Sequence, residues 1–456
     1  MSLHIIVLAA GQGKRMATSL PKVLHPIAGK AMLARVVEVA THLNPAQIHV
    51  IYGFGGEQIK STLADLPVHW VLQEQQLGTG HAVMQALPFI AADSHVLVLS
   101  GDVPLIQVDT LTQFVAESTQ HRSLGLLVTT LDDPSGLGRI VRDGRGAIRA
   151  IVEEKDADDQ QRKIGEIYSG ICCATASDLM RWLPQASADN AQHEYYLTEI
   201  IAMAAKENTP IVSFHTSSST DVHGVNTLEQ LQELERVWQR RKAQELMLFG
   251  VRIADAARID IRGELTCGKD VFIDVNSVFE GHVVIGDGCI IEPNCVLKNV
   301  TLGSHCVIYA NSVLDDSHLG DACTVGPFAR LRPGTKLASR CKIGNFVETK
   351  NIIVGENTKA SHLSYLGDAT IGRDVNIGAG TITCNYDGAN KHQTIIEDGV
   401  FVGSDTQLVA PVTIGANATI GAGATIRRNV PAGELVISDV KQKIINGWQR
   451  PVKKTK

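Results

Sequence analysis

An aliphatic residue recurs at every sixth position through much of the second half of the chain, from about residue 261 to residue 426. A glycine or a small polar residue usually follows it, as after Ile285 and Val354. Six residues make one short strand and a turn, and three hexads make a triangular coil whose inward aliphatics stack on the next coil. The pattern therefore predicts a parallel β-helix.

The first half of the chain alternates apolar runs with helical patterns. Residues 4–10, 47–52 and 95–100 have the length and composition of buried strands, whereas 31–43 and 80–87 have apolar residues at helical spacing. This alternation predicts a mostly parallel sheet covered by helices on both faces. Such sheets bind ligands beyond the carboxyl ends of their strands, so the residues after each strand are candidates for chemistry.

Residues 228–249 connect the two halves and carry apolar side chains at helical spacing. The stretch is too short for several heptads, so one amphipathic helix is favoured over a coiled-coil stalk. We therefore predict an α/β domain at 1–227, a helical linker at 228–249, a β-helix at 250–437 and a C-terminal tail at 438–456.

Composition narrows the class of protein. A chain of 456 residues favours two or more domains, and a net charge of −6 with mixed signs offers no basic face for nucleic acid. The N-terminus has only a short apolar run before glycine, which fits neither a signal peptide nor a membrane span. We expect a cytoplasmic protein that neither binds nucleic acid nor inserts into a membrane.

The nine cysteines could suggest disulfides or a metal cluster. No CxxC motif occurs, however, and five cysteines lie four residues after a hexad aliphatic, in a slot that needs a small inward side chain. These five are Cys289, Cys295, Cys306, Cys323 and Cys341. Cysteine in such a slot behaves as a small buried hydrophobe, so we expect structural thiols and a reducing compartment.

The first apolar run ends in a glycine-containing turn with Gly11 and Gly13. Two glycines let the backbone approach a phosphate chain closely, and Arg15 and Lys22 would balance its charge. The third glycine of a dinucleotide loop is missing, and so is the Gly-Lys-Ser/Thr of a Walker loop. By itself, the turn is also compatible with an ordinary connection between a strand and a helix.

The ends of later strands favour nucleotide binding. The apolar run at 95–100 ends at Asp102, a carboxylate that a magnesium ion could bridge to phosphate oxygens. Gln73 and Thr79 offer an amide and a hydroxyl group for reading a base edge. Further small and polar groups near strand ends are Gly138, Arg139, Glu153, Lys155, Gly224 and Asn226.

The hexad rhythm fails between Thr383 and Thr394. An insertion in a solenoid projects as a loop from one corner, and loops on rigid scaffolds often carry function. Just upstream, His362 and Tyr365 occupy slots that are otherwise filled by small residues, so these groups could line one cleft. A histidine with an unperturbed pKa near 6.5 is a suitable general base, although a lone histidine is more often structural or solvated.

Three motifs, LAAGxGxRM followed by PK, LGTGHA and GDVPL, resemble the bacterial bifunctional N-acetylglucosamine-1-phosphate uridyltransferase / glucosamine-1-phosphate N-acetyltransferase family, and the resemblance covers essentially the whole chain. It implies a Rossmann-like α/β nucleotidyltransferase domain, a connecting helix and a left-handed parallel β-helix of hexapeptide repeats. It also implies acetylation of glucosamine 1-phosphate by acetyl-CoA, then transfer of UMP from UTP with release of pyrophosphate, which supplies a precursor of peptidoglycan and lipopolysaccharide.

The resemblance assigns roles to individual residues of the first half. Mg²⁺ would bind Asp102 and Asn226. The nucleotide sugar would contact Leu8, Ala9, Ala10, Gly11, Arg15, Lys22, Gln73, Gly78, Thr79, Ser100, Gly101, Asp102, Gly138, Glu153, Tyr168 and Asn226.

In the second half, the resemblance implies that His362 is the catalytic base and that the enzyme is a homotrimer with a site between chains. The acceptor sugar phosphate would contact Arg332, Lys350, Tyr365 and Asn376. Acetyl-CoA would contact Ala379, Asn385, Tyr386, Lys391, Ser404 and Ala422. Asn385 or a nearby backbone N–H would stabilise the tetrahedral oxyanion.

Three positions depart from the family pattern. Asp439 stands where a basic residue lies near the coenzyme, Tyr168 stands where an asparagine faces the sugar, and Glu199 replaces an aspartate. We therefore expect differences in how the ligands are bound.

Two other interpretations remain open. A nucleotidyltransferase with a purely structural or regulatory β-helix would have an uninterrupted solenoid, which the insertion and His362 disfavour. A nucleotide-sugar sensor without catalysis would lack metal ligands, which Asp102 and Asn226 disfavour.

Overall fold

The computed structural model describes residues 2–120, 123–216, 218–439 and 442–451. The chain divides into two compact units, with the boundary between Arg241 and Lys242. This boundary lies inside a helix, Leu228–Leu248, in the segment for which the sequence predicts a helical linker.

The N-terminal unit is an α/β domain. Its strands, β1 to β11 in chain order, are Leu3–Ala9, Pro26–Ile27, Lys30–Ala31, Gln47–Tyr52, His69–Leu72, His95–Ser100, Leu124–Thr130, Arg139–Arg142, Ile148–Val152, Glu166–Thr175 and Ile211–His215. Its helices, α1 to α7, are Met32–Thr41, Gly56–Thr62, Thr79–Ala86, Val108–Gln120, Ala176–Trp182, Glu199–Lys206 and Leu228–Leu248. No helix within the described ranges is long and apolar enough to cross a bilayer.

The main sheet has the strand order β11-β7-β10-β6-β1-β4-β5. Strands β1, β4, β5 and β6 run parallel, which confirms the predicted architecture, and buried apolar clusters lie on both faces. Strand β10 is the exception, because it runs antiparallel to β6 and β7. Its buried Cys172 and Cys173 identify a central strand, but a burial pattern carries no information on strand direction.

Three histidines on neighbouring strands form a hydrogen-bonded chain across the sheet. His4 Nδ1 lies 3.2 Å from His49 Nε2, and His49 Nδ1 lies 3.1 Å from His69 Nδ1. His49 is buried, with 1% of its surface exposed. Burial lowers the pKa of His49 to about 4, and the neighbouring His4 and His69 contribute to the decrease. A neutral His49 can donate through one ring nitrogen and accept through the other, so the chain of hydrogen bonds needs it uncharged.

We expect His49 to make the N-terminal unit sensitive to mild acid. Because its pKa is lower in the folded state than in the unfolded state, unfolding takes up a proton between about pH 6.5 and pH 4. The stabilisation is complete above pH 6.5, and about 3 kcal/mol is lost as the pH falls to 4. Urea denaturation followed by tryptophan fluorescence measures this change, with His49→Phe as the matched variant that cannot titrate.

An equal loss of stability in the parent and in His49→Phe over this pH range would contradict the assignment, because the other titrating groups are common to both proteins.

The C-terminal unit is built from short parallel strands. They are Arg252–Ile253, Ile259–Cys267, Phe272–Ile273, Ser277–Ile285, Ile290–Ile291, Val296–Leu302, Val307–Ile308, Val313–Leu319, Thr324–Val325, Arg330–Leu331, Thr335–Leu337, Lys342–Asn345, Glu348–Val354, Lys359–His362, Tyr365–Ile371, Asn376–Ile377, Ile382–Cys384, Thr394–Ile396, Phe401–Val402, Gln407–Val409, Val412–Ile414, Thr419–Ile420, Thr425–Ile426 and Leu435–Val436. Each strand pairs with its equivalent in the next coil, which is the predicted parallel β-helix.

The inward slots are filled as the hexad rhythm predicts. The rhythm's aliphatics are buried, and Ile285, Val354 and Ile420 are at most 2% exposed. The five cysteines of the neighbouring slot are buried free thiols. Cys289 shows why a thiol suits this slot, since its Sγ donates to Gly303 O at 3.0 Å and accepts the Cys306 N–H at 3.3 Å. The thiols therefore belong to the core and its hydrogen bonding.

Candidate active sites

A cavity of about 720 Å³ opens at the carboxyl ends of β1 and β6. The turn after β1 forms one wall, and Gly13 there has φ +58°. A Cβ at this position would lie 2.7 Å from Lys22 Cβ, so a side chain would be strained. The lining includes these residues predicted to bind the nucleotide: Leu8, Ala9, Ala10, Gly11, Arg15, Lys22, Gln73, Gly78, Thr79, Ser100, Asp102 and Asn226.

Lys22, Asp102 and Asn226 converge in this cavity from three separate segments. The Lys22 ammonium forms an ion pair with Asp102 Oδ2 and lies 3.2 Å from Asn226 Oδ1. A backbone hydrogen bond joins the segments of Asp102 and Asn226, because the Val225 N–H donates to the Asp102 carbonyl oxygen at 2.9 Å. A carboxylate and an amide oxygen thus face one cationic position.

Asn226 is held at the start of α7 by a capping interaction. Gln230 Oε1 accepts the N–H groups of Asn226 and Thr227 at 2.8 and 3.2 Å, and Thr227 Oγ1 accepts the Gln230 N–H at 3.2 Å. This reciprocal pair is the capping box of a helix N-terminus. The spacing of Thr227 and Gln230 in the sequence was the available signal for it.

The two side chains predicted to read the base, Gln73 and Thr79, are fixed by their own hydrogen bonds. Gln73 is 2% exposed, and its amide nitrogen donates to Gly78 O at 3.1 Å and lies 2.9 Å from His81 Nδ1. Thr79 Oγ1 accepts the Leu197 N–H at 2.9 Å. Since these side chains are held in place, the edge they present to a ligand is preorganised.

A second cavity of about 200 Å³ adjoins the first and shares Leu8, Thr79, Ser100, Asp102 and Asn226 with it. Predicted sugar-binding residues line it: Gly138, Glu153 and Tyr168.

Besides Asp102, two ionisable side chains line this smaller cavity. Burial raises the pKa of Glu153, while a hydrogen bond from Thr198 Oγ1 at 3.2 Å partly offsets the effect. Burial also raises the pKa of Tyr168, and the neighbouring Cys172 thiol adds to this. Within the described residues, the buried Tyr168 hydroxyl has no hydrogen-bond partner. The cavity therefore offers a hydroxyl and a carboxyl group to a polar ligand.

The sequence did not identify every lining residue. Gly101 was predicted to bind the nucleotide but lies against the Leu8 carbonyl, between the lining residues Ser100 and Asp102. The segment around residues 191–198 was missed, although it closes both cavities. It has no glycine or charge motif of its own, and long-range hydrogen bonds place it there, such as those of the Tyr195 N–H with Leu77 O and of the Leu197 N–H with Thr79 Oγ1. Lining residues without a predicted role include Gln12, Lys14, Ala191, Gln192, Glu194 and Thr198.

His362 lies at a corner of the β-helix and is exposed. Its Nδ1 is 2.7 Å from Asn345 Oδ1, the equivalent position one coil earlier. Because the asparagine oxygen can only accept a hydrogen bond, Nδ1 carries the proton and donates it in that bond, and the neutral ring presents Nε2 as the acceptor. No sequence pattern identifies Asn345, because only the register of the coils pairs it with His362.

The same corner continues through the later coils. The register between coils places Ala379 beside His362. Lys359 pairs with Asn376, and these two residues precede His362 and Ala379 by three positions each. Hydrogen bonds then connect Ala379 to Asp405 at 2.7 Å and Ser404 to Gly423 at 2.8 Å, next to Ala422. The structure thus aligns His362 with these predicted coenzyme-binding residues: Ala379, Ser404 and Ala422.

The face after the corner carries a cluster of polar side chains that includes Tyr365. The neighbouring Lys350 side chain lowers the pKa of Lys391. Asp368 lies beside both lysines. Burial alone would raise the pKa of Asp368, but hydrogen bonds from Asn351 and Asn385 and the charge of the lysines hold it below its usual range. Two ammonium groups in contact are an attractive place for an anion.

Two other residues predicted for this site already have hydrogen-bond or ion-pair partners within the chain. Arg332 Nη1 forms an ion pair with Glu348 at 2.8 Å, and its backbone N–H donates to Thr349 O, next to Lys350. Asn385 donates its amide to Asp368 Oδ2 at 2.5 Å, so only its second amide hydrogen is left for an oxyanion.

Family comparisons match both units. The MobA-like NTP transferase domain matches residues 5–193, and the bacterial transferase hexapeptide (six repeats) matches residues 393–428. The GMPPB C-terminal domain matches residues 261–343. The fold and the two sites thus define a two-domain transferase, in which a nucleotidyltransferase precedes a hexapeptide-repeat β-helix.

Full-length relatives identify the family. The "Bifunctional protein GlmU" of Legionella pneumophila (strain Lens) is 64% identical over 458 residues, which covers 100% of this chain and 99% of the relative. The protein of that name from Marinobacter nauticus is 55% identical over 451 residues and 99% of each chain. The chain belongs to the bifunctional GlmU family.

Proposed function

We propose that this chain acetylates glucosamine 1-phosphate with acetyl-CoA in its β-helix, then transfers UMP from UTP to N-acetylglucosamine 1-phosphate in its N-terminal unit. One observation carries the second reaction: the two adjoining cavities share Asp102 and Asn226, so a nucleotide and a sugar phosphate can bind side by side. Family membership and the His362 corner support the first reaction.

Uridylyl transfer needs no covalent intermediate with the protein. An oxygen of the sugar 1-phosphate attacks the α-phosphorus of UTP, the new P–O bond forms, and the bond to pyrophosphate breaks. Lys22 and Arg15 neutralise negative charge on the phosphates, and both line the larger cavity. Gln73 and Thr79 hold the base, while Glu153 and Tyr168 orient the sugar.

The donor set suits Mg²⁺. Asp102 and Asn226 supply a carboxylate and an amide oxygen, the hard ligands that Mg²⁺ prefers, and the Lys22 ammonium between them indicates that both oxygens favour one cation. When bound there, Mg²⁺ would neutralise charge on the phosphate oxygens. No group of three or more His, Cys, Asp or Glu side chains among the described residues is arranged for a metal. The remaining ligands would then be phosphates and water.

Acetyl transfer needs a free amine. Glucosamine 1-phosphate carries an ammonium group, and His362 Nε2 takes its proton so that the nitrogen can attack the thioester carbonyl. The carbonyl carbon gains the N–C bond, and the CoA thiolate leaves. Arg332 and Lys350 hold the sugar phosphate between two positive charges, while Asn376 and Tyr365 bind the sugar.

We further propose a homotrimer whose acetyl-transfer site lies between chains. Phe328, Phe346 and Leu363 occupy one corner of successive coils, are 50%, 55% and 61% exposed, and form an apolar ridge. The two phenylalanine rings stack with centroids 5.4 Å apart. All three residues have φ between +43° and +55°, a conformation that is unfavourable for bulky side chains. Exposed apolar side chains in a strained conformation beside His362 favour burial in an interface with another copy of the chain.

Phe346→Asp is expected to convert the trimer to a monomer, because a charge on the ridge would be buried without a partner. Acetyl transfer should then fall at least about 100-fold, whereas uridylyl transfer should stay within about 2-fold. Light scattering and the two assays measure this. Phe89→Asp, at an equally exposed phenylalanine of the other unit, is the control. A monomeric parent protein, or a Phe346→Asp trimer, would contradict the proposal.

Omitting the substrates one at a time tests the proposed function. The complete mixture contains glucosamine 1-phosphate, acetyl-CoA, UTP and Mg²⁺, and the assay follows CoA and pyrophosphate separately. Omission of acetyl-CoA should abolish both signals, whereas omission of UTP should abolish pyrophosphate alone. Pyrophosphate without CoA would support an enzyme with only the nucleotidyltransferase activity. The nature of these substrates and the free thiols of the chain support a cytoplasmic location.

A further inference from the structure

The insertion of the β-helix is closed by an ion pair within the loop. Asp387 Oδ2 lies 2.7 Å from His392 Nε2, and Asp387 Oδ1 accepts the N–H groups of Ala389 and Asn390 at 2.8 and 2.7 Å. These hydrogen bonds, the largest from Asn390, hold the pKa of Asp387 well below its usual range. The Asp387 carboxylate therefore holds the tip of the loop together through its hydrogen bonds.

The backbone of the loop returns on itself at the same place. The His392 N–H donates to Asn385 O at 2.8 Å, and Tyr386 and Lys391 face each other in an antiparallel bridge. The side chains of Asp387 and His392 join the two arms of the loop beside these backbone connections. The residues with proposed coenzyme contacts, Asn385, Tyr386 and Lys391, are consequently all next to the ion pair in the chain.

The base of the loop and its tip are fixed by different contacts. Asn385 is 8% exposed and bonded to Asp368, and Gln393 donates to Thr370 Oγ1 at 3.0 Å, so the base is attached to the coil below. Tyr386, in contrast, is 62% exposed. The conformation of the tip therefore depends on bonds inside the loop, and Asp387–His392 is its only side-chain ion pair among the described residues.

We propose that His392 is a positioning residue of the acetyl-transfer site, which holds the loop so that Tyr386 and Lys391 are preorganised for the coenzyme. A loop that is ordered before binding loses less conformational entropy when the ligand binds. The coenzyme's identity rests on the proposed function, but the ordering of the loop does not.

Two measurements on the full-length His392→Ala variant test the proposal. Amide hydrogen exchange in residues 386–391 should accelerate about 10-fold without any ligand, because Asp387 loses its side-chain partner. The KM for acetyl-CoA should rise about 3- to 10-fold, the worth of one hydrogen bond to a charged group on the surface, while kcat changes less than 2-fold.

Two variants make the test specific. His392→Gln keeps an N–H donor of similar reach and should restore at least half of the loss in both measurements. His282→Ala removes another exposed histidine paired with a carboxylate, Glu264 at 3.2 Å, in an early coil and should change neither.

Several outcomes would overturn the proposal. They are unchanged exchange in His392→Ala, a fall in kcat at constant KM, or an effect of equal size in His282→Ala. A parent protein without acetyl transfer would refute the proposed function instead, and hydrogen exchange would still decide the role of His392.

Discussion

Asp102→Ala is expected to reduce uridylyl transfer by about 10³-fold or more and to leave acetyl transfer within about 2-fold. Asp102 supplies the only carboxylate at the position shared by Lys22 and Asn226, and it lines both cavities. Without it, the site loses a metal ligand, and Lys22 loses the partner that orients its ammonium toward the phosphates. Separate assays of pyrophosphate and CoA release measure the two activities in one preparation.

The Asp102→Asn variant tests the contribution of the negative charge of the side chain separately from that of its shape. The amide has nearly the same volume but no negative charge, so we expect a loss close to that of Asp102→Ala. A normal KM for acetyl-CoA in both variants would show that the β-helix unit is intact, and an unchanged urea midpoint of the N-terminal unit would show that its fold is retained. UDP-sugar formation by Asp102→Ala near the parent rate would remove Asp102 from the mechanism.

His362→Ala is expected to reduce acetyl transfer by about 10²- to 10⁴-fold, which is the usual contribution of a general base. Uridylyl transfer should not change, because the other unit contains that site. The residual rate should increase with pH, since a larger fraction of the substrate amine is then already deprotonated. CoA release at several pH values measures both effects.

Asn345→Ala provides a graded comparison. The His362 Nδ1 proton would lose its acceptor at 2.7 Å, so the ring should be less well oriented and the rate should fall about 10-fold. His318→Ala, at an exposed histidine of an earlier coil, is the control for solenoid stability. A His362→Ala variant that releases CoA at the parent rate would refute the base assignment.

The two candidate sites differ in how far their residues can be predicted from sequence. The residues after β1 and β6 are recognisable because each motif follows its strand directly. Asn345 and the segment around Glu194 are not, because each reaches its site through a partner distant in sequence. No local pattern records such a partner. Likewise, no sequence motif predicts the side-chain pair of Asp387 and His392, although the interrupted hexad rhythm located the loop that carries it.

The β-helix was determined by the sequence itself. Each hexad folds by the same short-range rule, so an aliphatic in every sixth slot fixes strand, turn and inward face, and the cysteines follow the same period. The glycine turn after the first strand and the helix at Leu228–Leu248 were also readable, because their signals lie within a few residues.

Only the tertiary structure decided which residues come into contact at the two sites. Lys22 and Asn226 are 204 residues apart, and they share one cationic position only because the sheet and the start of α7 bring them together. The direction of β10 and the alignment of His362 with Asn345 and Ala379 depend on strand pairing and coil register. Periodicity specifies which face of an element is buried, whereas long-range packing chooses the partners, and both sites are made of such partners.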